Sequence, residues 1–209
     1  MIRPVLLVLA GANGAGKSSI GGNLLERAGL AWFNPDAFAR EWKTTTGCTQ
    51  QAANELAWRE GLRRLDEAVE SGSSHAFETT LGGRTIAARL RVAVSSHDVE
   101  IWFCGLASPE LHIARVRLRV VSGGHDIPDS TIRMRFTTAQ RNLIELMPHL
   151  NFLRVYDNSA EAEHGVVPDP VLVLEMAAGR LVWPAARDIE ALAVASGWAK
   201  PLLEMALQG

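Results

Sequence analysis

Short runs of apolar residues alternate along the chain with longer segments in which apolar side chains recur every three or four positions. The first run, residues 4–10, has no polar alternation, which is typical of a central parallel strand covered on both faces. Four more runs are predicted as strands, at 31–33, 75–78, 99–106 and 152–156. Helical periodicity predicts the segments between them as helices, at 17–28, 49–71, 84–95, 109–121 and 129–143, with one more that begins at Pro35.

Strands that alternate with helices predict an α/β fold, in which a mostly parallel central sheet lies between layers of helices. In such a sheet, ligands bind beyond the carboxyl ends of the strands. After residue 168 the pattern changes to two short apolar runs, 171–174 and 181–183, followed by helical segments. We predict that this C-terminal extension, about 168–209, forms a hairpin and helices on the same core. The length of 209 residues indicates a single domain with its core at about 4–159.

Composition and charge narrow the possible partners. Hydrophobic residues make up 47% of the chain and charged residues 21%, which excludes a wholly disordered protein. The net charge of −2 gives no overall positive field, so neither nucleic acid nor a membrane is predicted as a partner. The apolar part of the N-terminal run that could be a secretory signal core, Val5 to Ala10, is shorter than the ~7 to 15 residues such a core needs, so a cytoplasmic location is predicted. Cys48 and Cys104 are too few for a disulfide framework or a cysteine-based zinc site, and are predicted to be small buried residues.

A glycine-rich segment lies directly between the first strand and the first predicted helix. Residues 11–18, Gly-Ala-Asn-Gly-Ala-Gly-Lys-Ser, match the pattern G-x-x-x-x-G-K-[ST] of phosphate-binding loops in the strand-to-helix context that the pattern requires. Main-chain N–H groups of such a loop point inward at phosphate, and the helix N-terminus adds positive potential. Lys17 is predicted to reach the terminal phosphates, and the Ser18 hydroxyl is predicted to ligate Mg²⁺.

The other motifs discriminate between classes of phosphate-loop protein. A GTPase needs an Asn-Lys-x-Asp guanine reader, and neither Lys43 nor Lys200 lies in such a context. A transporter-type ATPase is favoured by residues 121–125, Val-Ser-Gly-Gly-His, which are similar to the Leu-Ser-Gly-Gly-Gln signature. The strand at 152–156, however, ends without the Asp-Glu pair that would hold magnesium and activate water. An ATPase or nucleotide-switch subunit that moves a partner stays the alternative to a kinase, and a regulatory module that binds nucleotide without turnover is a third hypothesis.

A small-molecule kinase needs a carboxylate that accepts the proton of an attacking hydroxyl, and cations that neutralise the transferring phosphoryl group. Asn34 and Pro35 are a helix cap and a first helical residue, which places Asp36 in the first turn of a helix after the second strand. The helix N-terminus helps to keep Asp36 ionised. Glu78 closes the third strand and is predicted to point into the same crevice, where it either orders magnesium-bound water or binds acceptor hydroxyls.

Basic residues are concentrated between residues 110 and 141, a segment that contains six arginines and three acidic residues. The six are Arg115, Arg117, Arg119, Arg133, Arg135 and Arg141. Arg115 and Arg119 are one helical turn apart, a pairing that costs about 0.2–0.5 kcal/mol unless an anion lies between them. The Gly-Gly pair that follows gives hinge freedom, so the segment at about 115–135 is predicted to be a lid over bound nucleotide. His125 has no second histidine at ligand spacing, and a loop hydrogen bond is predicted for it.

Together these motifs resemble the zeta-toxin-like phosphate-loop kinases, a family also described as predicted ABC-type ATPases. The resemblance covers roughly residues 4–159. It depends on five segments in order, namely 11–18, 34–36 (Asn-Pro-Asp), 77–80 (Phe-Glu-Thr-Thr), 123–128 (Gly-Gly-His-Asp-Ile-Pro) and 156–159 (Tyr-Asp-Asn-Ser). It implies a three-layer P-loop NTPase fold with a mostly parallel central sheet, a lid segment and a C-terminal hairpin with helices.

The resemblance also implies roles for single residues. Asp36 would deprotonate the acceptor hydroxyl. Arg119 would clamp phosphate together with either Arg133 or Arg135, and spacing leaves that choice open. The acceptor would be bound by Glu78, Thr79, Thr80 and Arg133. ATP and its Mg²⁺ would be held by Gly11, Ala12, Asn13, Gly14, Ala15, Gly16, Lys17, Ser18 and Ser19, with Asp157 and Asn158 near the nucleotide base.

Toxins of this family phosphorylate the 3′-hydroxyl of the sugar in UDP-N-acetylglucosamine. The resemblance therefore implies an ATP- and Mg²⁺-dependent kinase that acts on a hydroxyl of a small molecule, with a nucleotide sugar of this kind as the expected acceptor. The Gly-Gly-His-Asp segment is similar to the chromosomal branch of the family rather than to the plasmid toxins. An antitoxin partner would be a separate protein.

Overall fold

The computed structural model describes residues 3–18, 21, 25, 31–160, 168–185, 188 and 196–208. Strands within these ranges form one six-stranded sheet in the order β2-β1-β3-β4-β5-β6. The strands are β1 (Val5–Ala10), β2 (His75–Thr79), β3 (Asp98–Gly105), β4 (Phe152–Asp157), β5 (Val171–Ala177) and β6 (Arg180–Trp183). The first four are parallel, and β5 and β6 add an antiparallel hairpin to the edge beside β4. The predicted mostly parallel sheet and C-terminal hairpin are thus confirmed.

Helices connect the parallel strands. In the part of the chain that the structure describes, those between parallel strands are α1 (Pro35–Thr46), α2 (Gln50–Ser71), α3 (Arg84–Ala93), α4 (Pro109–Val121) and α5 (Asp129–Leu146), and α6 (Lys200–Ala206) follows β6. A short 3-10 helix, Met147–His149, continues α5 towards β4. Within the described ranges, no helix combines the length and the apolar character that crossing a bilayer would require.

Strand β1 is covered on both faces, as its unbroken apolar run predicts. Leu6 and Val8 lie in the main core, which also takes in buried residues of α2, α3, α5 and α6. Leu7 and Leu9 point to the opposite face and pack with Leu25 in a second cluster. The phosphate-loop segment that follows β1 therefore starts from a strand that is fixed from both sides.

The start of α1 confirms the cap predicted from Asn34 and Pro35. The Asn34 side-chain oxygen accepts a hydrogen bond from the Ala37 N–H at 3.0 Å, Pro35 is the first helical residue, and Asp36 lies in the first turn. The cap satisfies one of the N–H groups that have no partner inside the helix. Asp36 is consequently held at the N-terminus of α1, beyond the ends of β1 and β2.

Two predicted elements are shorter in the structure than the sequence predicts. The strand at 31–33 is reduced to a single bridge between Phe33 and Phe77, because Asn34 and Pro35 begin a helix directly after it. The helix predicted at 84–95 ends at Ala93. Most of the helix predicted at 17–28, with its stop at Gly29, lies outside the described residues. Cys104 is buried as predicted, whereas Cys48 is only half-buried.

Candidate functional site

The phosphate-loop segment curls at glycines that no other residue would replace. Gly11, Gly14 and Gly16 have φ angles of 141°, 82° and 86°, which side chains rarely adopt. A Cβ atom at Gly11 would overlap the Cys104 carbonyl oxygen, and one at Gly14 would lie 2.8 Å from the His112 carbonyl oxygen. The loop is therefore packed between the end of β3 and the side of α4.

A cavity of about 620 Å³ opens beyond the carboxyl ends of β1 and β2. It brings together most of the predicted site residues. Those in its lining are Asn13, Gly14, Gly16, Lys17, Ser18, Asp36, Glu78, Thr79, Thr80, Arg119 and Arg135. Gly11, Ala12 and Ala15 belong to the loop but do not line the cavity, and Ser19 lies outside the described residues.

A buried polar cluster joins the loop to β2 at the floor of the cavity. The Glu78 carboxylate lies 3.4 Å from Lys17 Nζ and accepts a hydrogen bond from Ser18 Oγ at 2.8 Å. The Asn34 side-chain N–H donates to the same carboxylate at 3.3 Å. Lys17 and Glu78 are 7% and 8% exposed, so each buried charge has an opposite charge as its partner. Glu78 is thus linked to the lysine, to the hydroxyl and to the cap of the helix that carries Asp36.

Asp36 and Arg119 meet across the cavity. Arg119 Nη1 lies 3.5 Å from the Asp36 carboxylate, and both side chains are about 40% exposed. Arg119 Nε and Nη2 are buried and have no hydrogen-bond partner within the part of the chain that the structure describes. Buried N–H donors without a partner are unfavourable, and an anionic ligand with free oxygens would satisfy them.

Arg133 and Arg135 lie on different sides of α5. Arg135 lines the cavity and donates a hydrogen bond to the Asn13 side-chain oxygen at 2.8 Å. Burial lowers the pKa of Arg135, and the charge of Asp36 partly opposes this effect. Arg133 instead lies exposed beside Glu110, and it does not line the cavity. The structure therefore does not support Arg133 as an acceptor ligand, because two residues along a helix point to different sides.

The other basic residues of the predicted lid segment also differ in whether they line the cavity. Arg115 lines the cavity and donates to the Ala160 carbonyl oxygen at 3.1 Å. Arg117 forms an exposed ion pair with Asp129. His125 lines the cavity, but within the described ranges it makes no hydrogen bond of the kind predicted for it; burial lowers its pKa. Among the described residues, the arginines that line the cavity are therefore Arg115, Arg119 and Arg135.

Proteins of known sequence or structure that are similar to this chain indicate its fold. No family model matches the chain. An uncharacterised protein of Haemophilus influenzae is 27% identical over 133 residues, which are 60% of this chain and 88% of that protein. The ATP-bound AvrRxo1-ORF1:ORF2 structure is 18% identical with a TM-score of 0.62, and the match covers 98% of this chain and 64% of that one.

Two further solved structures have the same architecture. A protein of the PezAT chromosomal toxin-antitoxin system of Streptococcus pneumoniae is 16% identical with a TM-score of 0.56, over 98% of this chain and 88% of that one. A candidate kinase of Chloroflexus aurantiacus is 17% identical with a TM-score of 0.52, over 66% of this chain and 80% of that one. The chain has the phosphate-loop kinase fold. The fold class predicted from the sequence is therefore confirmed.

In this phosphate-loop kinase fold, Asp157 and Asn158 lie behind the loop rather than in the cavity. The Asp157 carboxylate accepts hydrogen bonds from Ser159, Ser196 and Trp198. Burial raises the pKa of Asp157, but these hydrogen bonds outweigh burial and lower it overall. The Asn158 side-chain N–H donates to the Ala15 carbonyl oxygen at 3.0 Å. Neither residue lines the cavity, and a position beside the nucleotide base stays a prediction.

His112 is a site residue that the motifs did not reveal. It lies on α4, is 1% exposed, and its Nδ1 is 2.7 Å from the Asn13 carbonyl oxygen. Burial lowers the pKa of His112 to about 4, although the hydrogen bond to Asn13 opposes this. Because a carbonyl oxygen only accepts, Nδ1 carries the proton of the neutral ring. A signal did exist, since His112, Arg115 and Arg119 are spaced for one face of a helix.

We expect the stability of the protein to fall between about pH 6.5 and pH 4 because of His112. In this window the unfolded chain binds a proton at His112 and the folded chain does not, so acid favours unfolding. At about 1.36 kcal/mol per unit of pKa difference, the loss reaches up to about 3 kcal/mol near pH 4. Denaturant unfolding of wild type and His112→Asn at several pH values measures it. The variant keeps an N–H donor but does not titrate, and an equal pH dependence of the two proteins would contradict the assignment.

Proposed function

We propose that the protein is an ATP- and Mg²⁺-dependent phosphotransferase that transfers the γ-phosphoryl group to a hydroxyl of a small molecule. The observation that carries the proposal is one cavity that combines three kinds of group. These are the phosphate-loop Lys17, the carboxylate of Asp36, and Arg119, whose buried N–H groups have no partner among the described residues. An ATP-bound structure with the same fold supports the choice of nucleotide.

Lys17 and the loop N–H groups would hold the terminal phosphates. Lys17 Nζ is 3.4 Å both from Glu78 and from the Ala12 carbonyl oxygen, so its ammonium group is already aimed at the loop. Arg119 on α4 and Arg135 on α5 add two positive charges to the lining of the same cavity. Positive groups fixed in this way stabilise the charge on a transferring phosphoryl group.

Ser18 and Glu78 fit a magnesium site. Their side-chain oxygens are 2.8 Å apart, and hydroxyl and carboxylate oxygens are the donors that Mg²⁺ takes, with water completing its octahedron. When bound, Mg²⁺ would neutralise part of the phosphate charge. Ser18 would ligate the ion directly, and Glu78 would hold one of its water molecules.

Asp36 would act as the general base. Its carboxylate takes the proton of the acceptor hydroxyl while that oxygen forms a bond to the γ-phosphorus, and the bond from the γ-phosphorus to the bridging oxygen of ADP breaks. Asp36 is partly exposed at the N-terminus of α1. Its carboxylate pairs with Arg119, which would contact the phosphates. This position suits a base that must meet a second substrate entering from solvent.

The acceptor would lie against a wall formed by α2, the end of β2, the residue after it and the segment before α1. This wall includes Thr79 and Thr80, whose hydroxyls already accept hydrogen bonds from the main chain, and the aromatic rings of Phe33 and Trp58. A nucleotide sugar such as UDP-N-acetylglucosamine, which the motif resemblance implies, combines hydroxyls with a planar base and is the first acceptor to test. A separate antitoxin-like partner is a further part of the proposal, supported by the PezAT system.

The proposal is tested by incubating the protein with ATP, MgCl₂ and a metabolite extract, and searching by mass spectrometry for one added phosphate. We expect one class of alcohol to gain a phosphate and ADP release to depend on that acceptor. UDP-N-acetylglucosamine serves as a defined acceptor, and Lys17→Ala serves as the inactive control. ADP release that is indifferent to every acceptor would favour an ATPase that moves a partner and would contradict the proposal.

Glu78→Gln is expected to raise the Mg²⁺ concentration for half-maximal activity about tenfold, the usual cost of losing a group that orients a metal-bound water. The variant keeps an oxygen that can accept the Ser18 hydrogen bond but removes the charge. Magnesium titrations at fixed ATP measure the shift, and Glu41→Gln on the exposed side of α1 is the control. An unchanged magnesium dependence with a raised KM for the acceptor would assign Glu78 to acceptor binding instead.

A further inference from the structure

We propose that His112 and Asn158 are positioning residues for nucleotide binding, each of which holds one main-chain carbonyl of the phosphate loop away from the cavity. The inference rests on the proposed nucleotide site, and it concerns how the loop is kept in its binding conformation. Neither side chain lines the cavity, so both would act through the loop rather than by contact with phosphate.

His112 holds the peptide group between Asn13 and Gly14. Its protonated Nδ1 donates to the Asn13 carbonyl oxygen at 2.7 Å. A trans peptide is planar, and its C=O and N–H point in opposite directions. With the Asn13 carbonyl fixed on α4, the N–H of Gly14 is directed to the other side of the peptide plane, and Gly14 lines the cavity.

Asn158 holds the peptide group between Ala15 and Gly16 in the same way. Its side-chain N–H donates to the Ala15 carbonyl oxygen at 3.0 Å, and its main-chain N–H donates to the Gly105 carbonyl oxygen at 3.0 Å. The second bond fixes Asn158 to the end of β3, so the amide acts from a rigid base. Gly16, whose N–H belongs to the held peptide, also lines the cavity.

The two held peptides precede the two loop glycines whose φ angles are close to 85°. Gly14 and Gly16 have φ values of 82° and 86°, a conformation that glycine leaves easily in a free loop. Donors that fix the preceding carbonyls remove this freedom before the nucleotide arrives, and preorganisation of this kind increases affinity by lowering the ordering cost of binding. His112 and Asn158 thus stabilise neighbouring parts of one anion cradle from opposite elements.

Asn13 is held a second time from α5. Arg135 donates to its side-chain oxygen at 2.8 Å, and the next residue, Phe136, packs edge-to-face on the His112 ring with centroids 5.6 Å apart. The loop, α4 and α5 are therefore one connected unit at this point. A change at His112 is expected to reach the loop even though the side chain is remote from the proposed phosphates.

The test is the dissociation constant for ATP in MgCl₂ without an acceptor, measured by calorimetry on the full chain. His112→Phe keeps an aromatic ring against Phe136 but lacks the donor, and Asn158→Leu lacks the amide. We expect each to weaken ATP binding about tenfold, the equivalent of one net hydrogen bond. His112→Asn restores an N–H near the position of Nδ1 and is expected to bind within about threefold of wild type.

Two buried residues of the same types serve as matched controls. His97 is also 1% exposed and contacts the Ser73 carbonyl oxygen, and Asn142 is 3% exposed and donates to the Leu81 carbonyl oxygen. His97→Phe and Asn142→Leu are expected to lower thermal stability without changing ATP affinity. If His112→Phe does not fold, Asn158→Leu and His112→Asn still decide the question.

The inference is overturned if Asn158→Leu and His112→Phe bind ATP as wild type does, or if His112→Asn binds as weakly as His112→Phe, since packing alone would then explain the effect. A wild-type protein that binds no ATP would instead overturn the nucleotide site itself. Phosphate transfer that fails while ATP binding follows the expected order would leave this inference supported and overturn only the proposed transferase activity.

Discussion

Arg119→Gln is expected to lower kcat about 10³-fold, because an arginine that meets the transferring phosphoryl group contributes about that much or more in phosphate-loop enzymes. Arg119 Nη1 pairs with Asp36, while Nε and Nη2 are buried and have no hydrogen-bond partner in the described part of the chain. The N–H groups of these two nitrogens are therefore left to bind the transferring phosphoryl group. A glutamine retains some length and polarity but cannot supply the charge. Single-turnover kinetics with saturating ATP and acceptor measure the effect.

Arg117→Gln is the matched control for Arg119→Gln. Arg117 lies two residues earlier on α4, is exposed, and pairs with Asp129 outside the cavity. Exposed ion pairs contribute about 1 kcal/mol or less, so this variant is expected to keep both stability and turnover. Equal losses in the two variants would show that general electrostatics of α4, and not a contact with the phosphoryl group, explain the arginine effect.

Asp36→Asn is expected to lower phosphoryl transfer about 10²- to 10⁴-fold, the usual contribution of a general base, while ATP affinity changes little. The substitution preserves the shape of the side chain and its position in the first turn of α1. The ion pair with Arg119 is partly exposed, so its loss costs the fold little. Comparing the rate of transfer with the dissociation constant for ATP separates the two effects.

Asp126→Asn tests whether charge alone explains the Asp36 result. Asp126 lines the same cavity, and its carboxylate accepts a hydrogen bond from the Ile127 N–H at 2.9 Å, which an asparagine oxygen can replace. We expect this variant to transfer phosphate within about threefold of wild type, since no proton moves to Asp126. Full transfer by Asp36→Asn would show that another group takes the proton.

The sequence predicted the elements whose signals are local. The unbroken apolar run of β1, the cap formed by Asn34 and Pro35, and the proline at the start of α4 all depend on residues within one turn or one strand. The phosphate loop was equally predictable, because its glycines are required by backbone geometry. From these, the parallel sheet and the placement of Lys17, Asp36 and Glu78 at one cavity followed.

Contacts between distant segments were the part that the sequence left open. Spacing in the sequence could not decide whether Arg133 or Arg135 pairs with Arg119 at the phosphates. In the structure, the packing of α5 turns Arg135 towards the cavity and leaves Arg133 beside Glu110. The resemblance implied a place near the nucleotide base for Asp157 and Asn158, and nothing in the sequence indicated that the Asp157 carboxylate accepts a hydrogen bond from the distant Trp198. His112 contributes through a main-chain carbonyl, a kind of contact that side-chain motifs do not encode.

The fate of the γ-phosphate tests the central claim most directly. The protein is incubated with ATP labelled at the γ-phosphorus, MgCl₂ and the acceptor found in the extract experiment, and the label is separated into inorganic phosphate and organic monoester. We predict that wild type places the label on the acceptor hydroxyl in amounts equal to the ADP formed, and that Asp36→Asn and Arg119→Gln do so far more slowly. Label released only as inorganic phosphate, at a rate independent of the acceptor, would contradict a phosphotransferase.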